Sequence, residues 1–88
     1  MKQFQYVITD EVGLHARPAG MLMKKAKEMK EAGVKVTVAC NGKSADATKL
    51  MAIMGMGVKK DMEVEVTVEG GDEEAAAAEM EAFFKENL

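Results

Sequence analysis

The chain has one cysteine, one proline, one histidine and no tryptophan, and each scarcity removes a class of explanation. Cys40 alone can close no internal disulfide and has no neighbours at metal-ligand spacing, which sets aside disulfide scaffolds and zinc clusters and fits a reducing compartment. No apolar run approaches the roughly 20 residues of a membrane span, so membrane insertion is not expected. Residues 1–6 carry neither the long apolar stretch nor the small-residue cleavage site of a secretory signal, and a cytoplasmic location is expected. The single proline, with no internal repeat and no low-complexity linker, leaves no boundary inside the chain. Residues 1–88 are therefore read as one domain, large enough for one core but too small for a deep substrate pocket with a regulatory module beside it. A formal net charge of -3 argues against a general nucleic-acid binder.

Hydrophobic periodicity is what the sequence does offer. Phe4, Tyr6 and Ile8 alternate within residues 3–9, the pattern of a half-buried strand. Over residues 16–32, Ala19, Leu22, Met23, Ala26 and Met29 recur at helical spacing with lysines opposite. Pro18 suits only the first turn of that helix, and Gly33 suits a left-handed cap at its end. Val34, Val36, Val38 and Cys40 alternate again, and Asn41-Gly42 predicts a tight hairpin into a short strand over residues 43–46. Residues 47–54 predict a short helix closed by Gly55-Met56-Gly57. Met62, Val64, Val66 and Val68 form a fourth strand ended by Gly70-Gly71. Asp72 is the predicted N-cap of a last helix whose buried stripe is Ala76, Met80, Phe83 and Phe84.

The order is βαββαβα. With one apolar face per strand and one apolar stripe on each long helix, the economical packing is an α+β open-faced sandwich: a four-stranded, mostly antiparallel sheet covered on one face by helices. The open face predicts glutamates (Glu63, Glu65, Glu69) rather than the aromatics of an RNA-binding sheet. Cys40 is read as a small core residue.

His15, the only histidine, stands immediately before the first helix. Amides of a first helical turn lack intrahelical partners, and the macrodipole places partial positive charge there, so an anion beside His15 is stabilised without a metal. Arg17 adds a permanent charge and a planar fork of donors suited to phosphate oxygens. It is also misplaced for helix stability unless an anion visits. An imidazole can act as a nucleophile near neutral pH. There is no phosphate-binding glycine loop, metal site or base able to split a nucleotide, so a phosphorylated protein is the expected donor, and no cofactor or metal is expected. Exposed methionines among Met21, Met23, Met51, Met54 and Met56 suit an adaptable docking surface.

The segment Gly13-Leu14-His15-Ala16-Arg17-Pro18-Ala19 resembles the active-site signature of HPr, the histidine-containing phosphocarrier family of the bacterial sugar phosphotransferase system. Asn41-Gly42-Lys43-Ser44-Ala45-Asp46-Ala47, followed by Leu50-Met51 and Gly55-Met56-Gly57, resembles the family's second characteristic segment. The likeness runs through essentially the whole chain. It implies that enzyme I, charged from phosphoenolpyruvate, phosphorylates Nδ1 of His15 and that the group then passes to the A domains of enzymes II for sugar uptake. It further implies that Arg17 and the amides of Ala16 and Arg17 hold the phosphoryl group. The implied partner surface is Gly20, Lys24 and Lys27 on the first helix with Lys49, Leu50, Met51 and Met54 around the second, and the implied state is a monomer.

Two features depart from the family pattern. Where many Gram-positive members carry a regulatory serine before the Leu50-Met51 equivalent, this chain has Lys49, so that switch is expected to be absent. The segment over residues 28–33 is a few residues longer than is common, at the far end of the first helix from His15. The competing reading is an HPr-like regulatory paralogue that acts by binding regulatory partners in a non-sugar phosphorelay. On either reading the chain is a carrier of a phosphoryl group rather than an enzyme with its own small-molecule substrate.

Overall fold

The computed structural model describes residues 1–88. The elements are β1 (Lys2–Val7), α1 (Ala16–Glu31), β2 (Lys35–Cys40), β3 (Lys43–Asp46), α2 (Leu50–Gly55), β4 (Glu63–Glu69) and α3 (Glu73–Asn87). The four strands form one sheet in the order β1-β4-β2-β3, with all three pairings antiparallel. This is the βαββαβα open sheet that the periodicity predicts.

The central strand β4 shows why the sheet has two unlike faces. Val64, Val66 and Val68 are fully buried, while Glu65 and Thr67 between them are partly buried and Glu63 and Glu69 at either end are exposed. In register, Val66 faces Phe4 on one side and Val38 on the other, so a continuous apolar layer crosses the sheet. Burying each such valine contributes about 1.5–3 kcal/mol. Helices α1 and α3 cover this layer. Phe84 of α3 is fully buried and meets Phe4 and Tyr6 edge-on, with ring centroids 6.0 and 5.7 Å away. Cys40 lies in the same core, and burial pushes its thiol pKa up, which makes it a packing residue rather than a reactive one.

Local chemistry sets the ends of the elements. At the end of α1, Gly33 has φ +85°, its amide donates to the Lys30 carbonyl, and the Val34 amide donates to the Met29 carbonyl at 2.9 Å. These are the two bonds of a Schellman cap, and the buried Met29 and Val34 supply its apolar contact. Asn41 and Gly42 both have positive φ, as the two-residue hairpin between β2 and β3 requires. Asp72 caps α3 by accepting from the Ala75 amide at 3.2 Å.

The short helix differs from expectation. It starts at Leu50 rather than residue 47, because Asp46 and Ala47 are held elsewhere. The Ala47 side chain is fully buried and its amide donates to the Val36 carbonyl. The Asp46 carboxylate accepts from both the Thr48 amide (2.9 Å) and the Thr48 hydroxyl (2.7 Å), and its carbonyl accepts from the Lys49 amide. That turn consumes the donors a helix would have used and sets where Lys49 and Met51 emerge.

The Thr48 hydroxyl, then the Thr48 amide, hold the Asp46 carboxyl below its usual range, with Lys35 and Lys30 adding to the effect. A depressed folded pKa means that Asp46 contributes stability above its unfolded pKa and loses it as pH falls through the folded one. Thr48→Ala should raise the Asp46 pKa toward the ordinary aspartate range, so that the acid-side loss starts at higher pH. It should also remove about 1 kcal/mol at neutral pH. A carboxyl-carbon NMR titration with urea unfolding at pH 7 checks both; an unmoved Asp46 titration refutes the assignment of Thr48 as the main cause.

Candidate functional site

The residues leading to His15 are fixed on every side. The Ile8 amide donates to the Met62 carbonyl, and the amides of Thr9 and Asp10 both donate to the Leu88 carbonyl, which also accepts from the Thr9 hydroxyl at 2.9 Å. Asp10 then accepts through Oδ1 from the Val12 amide (2.8 Å) and the Gly13 amide (3.2 Å), folding the chain back on itself. The Leu14 amide reaches the Val58 carbonyl at 3.1 Å, with the Leu14 side chain buried. Gly13 sits at φ +82°, where a Cβ would lie 2.5 Å from the Val58 oxygen and 2.6 Å from Lys59 Cα. Only glycine fits this position.

His15 itself is the N-cap of α1. Its backbone is extended (φ -89°, ψ -174°), its carbonyl accepts from the Ala19 amide at 2.9 Å, and its side chain makes no capping hydrogen bond. The imidazole is half-buried at the helix mouth. Three residues of the first turn remain. Pro18 has no N–H, and the amides of Ala16 and Arg17 find no partner in the chain. Two aligned donors at the positive end of a 16-residue helix therefore stand free beside the ring. No acidic residue occupies the first turn to neutralise them.

His15 and Arg17 line one shallow concavity of about 180 Å³ together with Asp10, Pro18, Met21, Glu86 and Asn87. This volume is below the few hundred Å³ typical of small-molecule sites. It suits a group carried on a ring rather than a substrate enclosed in a pocket. Arg17 forms no ion pair within the chain, so its guanidinium is free for an incoming anion. A larger concavity of about 420 Å³, lined by Lys30, Gly33, Val34, Lys35, Val36, Asp46 and Thr48, lies at the other end of α1.

The other residues singled out from the sequence are spread over α1 and α2, which pack on each other. Gly20 is partly buried, and a Cβ there would meet nothing within 4 Å. Its lack of a side chain therefore serves no packing need and leaves the helix surface flat. Lys24 and Lys27 are exposed. Lys49 is the exposed N-cap of α2, and Met51 and Met54 are exposed on it. Leu50 is only half exposed and packs against the core, so it serves the fold as well as any surface. Of these seven, none lines the concavity that holds His15 and Arg17.

Sequence reasoning did not anticipate Asp10, Glu86 or Asn87. Asp10 had a readable signal, since an aspartate three residues before a glycine is a common turn former. Glu86 and Asn87 had none, because only the packing of α3 brings them to the start of α1.

Residues 2–86 match the family model described as the PTS HPr component phosphorylation site. The chain is 36% identical over 87 residues to the phosphocarrier protein HPr of Mycoplasma genitalium, covering 99% of this chain and 97% of that one. It is also 36% identical over 76 residues to the HPr of Mycoplasma capricolum, covering 86% and 82%. Among solved structures, a histidine-containing phosphocarrier protein of Mycoplasma superposes with a TM-score of 0.87 at 30% identity, covering 97% and 93% of the two chains. HPr of Bacillus anthracis superposes with a TM-score of 0.82 at 25% identity, covering 94% and 95%. With the family model spanning nearly its whole length, the chain belongs to the HPr phosphocarriers of the phosphotransferase system.

Proposed function

We propose that this HPr takes a phosphoryl group from phosphorylated enzyme I onto Nδ1 of His15 and hands it to enzyme II A domains for sugar uptake, acting as a monomer. The observation that carries the reading is the pair of free amides at Ala16 and Arg17 beside the only histidine, with Arg17 lining the same concavity.

In the accepting step the ring nitrogen lone pair attacks phosphorus, the P–N bond to His15 forms, and the bond to the donor breaks with its electron pair returning to the donor. The Ala16 and Arg17 amides, the helix dipole and the Arg17 guanidinium take up the negative charge on the equatorial oxygens. Two carboxylates, Asp10 and Glu86, line the same concavity. Their charge opposes a bound phosphoryl dianion and keeps the group transferable rather than trapped. The partner face is the flat surface around Gly20 with Lys24 and Lys27, continued by Lys49, Leu50, Met51 and Met54. An adaptable apolar patch with a basic rim suits acidic partners that dock and leave quickly.

The test is intact-mass analysis after incubation with phosphoenolpyruvate and purified enzyme I. One acid-labile phosphoryl group on the native chain is the expected result. No label on a folded chain overturns the reading and favours a regulatory protein that acts by binding. Arg17→Ala should fold normally and be phosphorylated on the order of 10- to 100-fold more slowly, the loss of one charge-assisted contact; an unchanged quench-flow rate removes Arg17 from the site.

A further inference from the structure

The nine methionines of this chain are sorted by exposure. Met29, Met56 and Met80 are buried in the core. Met62 is partly buried, and its sulfur accepts the Lys59 amide at 3.1 Å. Met23 is partly buried on α1. Four are exposed: Met1 at the start of the chain, and Met51 (80%), Met21 (42%) and Met54 (40%).

Met21 lies on α1, whose N-cap is His15, and Met51 and Met54 lie on α2, which packs against α1. Met21 lines the concavity of His15 and Arg17. Met51 and Met54 are three residues apart on α2, so they share its outward face while Ile53 is buried beneath. The buried Cys40 offers no competing exposed thiol.

We infer that Met51, Met54 and Met21 form an oxidation-sensitive modification site, and that converting them to methionine sulfoxide uncouples the docking face from its phosphotransfer partners. The inference rests on the phosphocarrier reading above. The oxidant is hydrogen peroxide. A sulfur lone pair attacks the terminal peroxide oxygen, the O–O bond breaks, the S–O bond forms, and water leaves. The sulfur is oxidised by two electrons and the peroxide is reduced. A flexible apolar side chain becomes a polar one with a strong acceptor. Within a docking patch that acceptor must be desolvated without a partner, which weakens association. His15 and its amides are chemically untouched, so the phosphoryl-accepting group survives while transfer from and to its partners slows. A thiol-dependent methionine sulfoxide reductase reverses the change, as a regulatory rather than purely damaging modification requires.

The experiment treats the native chain with dilute hydrogen peroxide, maps oxidised peptides by mass spectrometry, and measures the phosphorylation rate by enzyme I before and after. Met51 and Met1 should oxidise first, with Met21 and Met54 next and Met29, Met56 and Met80 last, and the rate should fall about tenfold or more. Reductase with dithiothreitol should restore it. The variant carrying Met21→Leu, Met51→Leu and Met54→Leu keeps apolar volume but has no oxidisable sulfur there. Whatever its own starting rate, peroxide should leave that rate unchanged. An oxidised native chain that is phosphorylated as fast as before overturns the inference and leaves the carrier reading standing. Equal inactivation of the leucine variant also overturns it. Failure of the untreated chain to accept phosphate sinks the carrier reading and the inference with it.

Discussion

Replacing His15 by alanine is expected to abolish phosphoryl acceptance and to leave the fold essentially unchanged. The two halves of this expectation come from the same geometry. The side chain of His15 makes no capping hydrogen bond, and the residue contributes to α1 only through its carbonyl, which accepts from Ala19. Alanine keeps that carbonyl. The half-buried ring lies outside the apolar core, so the stability change should stay within about 1 kcal/mol, a shift of a few degrees in Tm. No other imidazole exists to substitute for it. The free amides and Arg17 remain, but they bind anions and cannot form the bond. Intact-mass analysis under the conditions that label the native chain, with circular dichroism on the same sample, checks both halves. A phosphoryl group on the His15→Ala chain places the acceptor elsewhere.

Much of the fold that carries His15 is legible in the sequence. Alternation in residues 34–40 and 62–69, the Asn41-Gly42 turn, the Gly33 cap and the Asp72 cap are local signals, each carried by a few adjacent side chains. The structure keeps all of them. What was not legible depended on residues far apart in sequence. The boundary of α2 moved because Ala47 is drawn into the core and Asp46 spends its carboxylate on Thr48, outcomes that helix propensity over residues 47–54 does not contain. The first strand ends at Val7 rather than residue 9, because the Thr9 and Asp10 amides are captured by the Leu88 carbonyl at the other end of the chain. His15 and Arg17 are readable from one heptapeptide, whereas Glu86 and Asn87 join them only through the packing of α3.

The largest combined effect on fold and function should come from Gly13→Ala. An added Cβ would fall 2.5 Å from the Val58 carbonyl oxygen and 2.6 Å from Lys59 Cα, both backbone atoms, and at φ +82° the alanine is strained whatever the space. No side chain can swing aside to relieve the contact. The left-handed conformation costs a non-glycine residue about 1–2 kcal/mol, and forcing backbone apart in a packed region adds about 1–3 kcal/mol. A loss on the order of 2–5 kcal/mol follows, against the 5–15 kcal/mol of a typical domain. Relief would come by separating the segment that carries Gly13 from the one that follows α2, which breaks the Leu14–Val58 hydrogen bond and moves His15 relative to the Ala16 and Arg17 amides. A displacement of about 1 Å at a reacting atom can reduce transfer on the order of 100-fold. The variant should therefore unfold at lower urea concentration and, under conditions where it is still folded, accept phosphate far more slowly than the native chain. Gly42→Ala is the matched comparison: it shares positive φ, but its Cβ would meet nothing within 4 Å, so it should lose only the conformational part of the stability and transfer at the native rate. If the two alanine variants behave alike in both measurements, the close approach of Gly13 to Val58 and Lys59 is not what holds His15 in place.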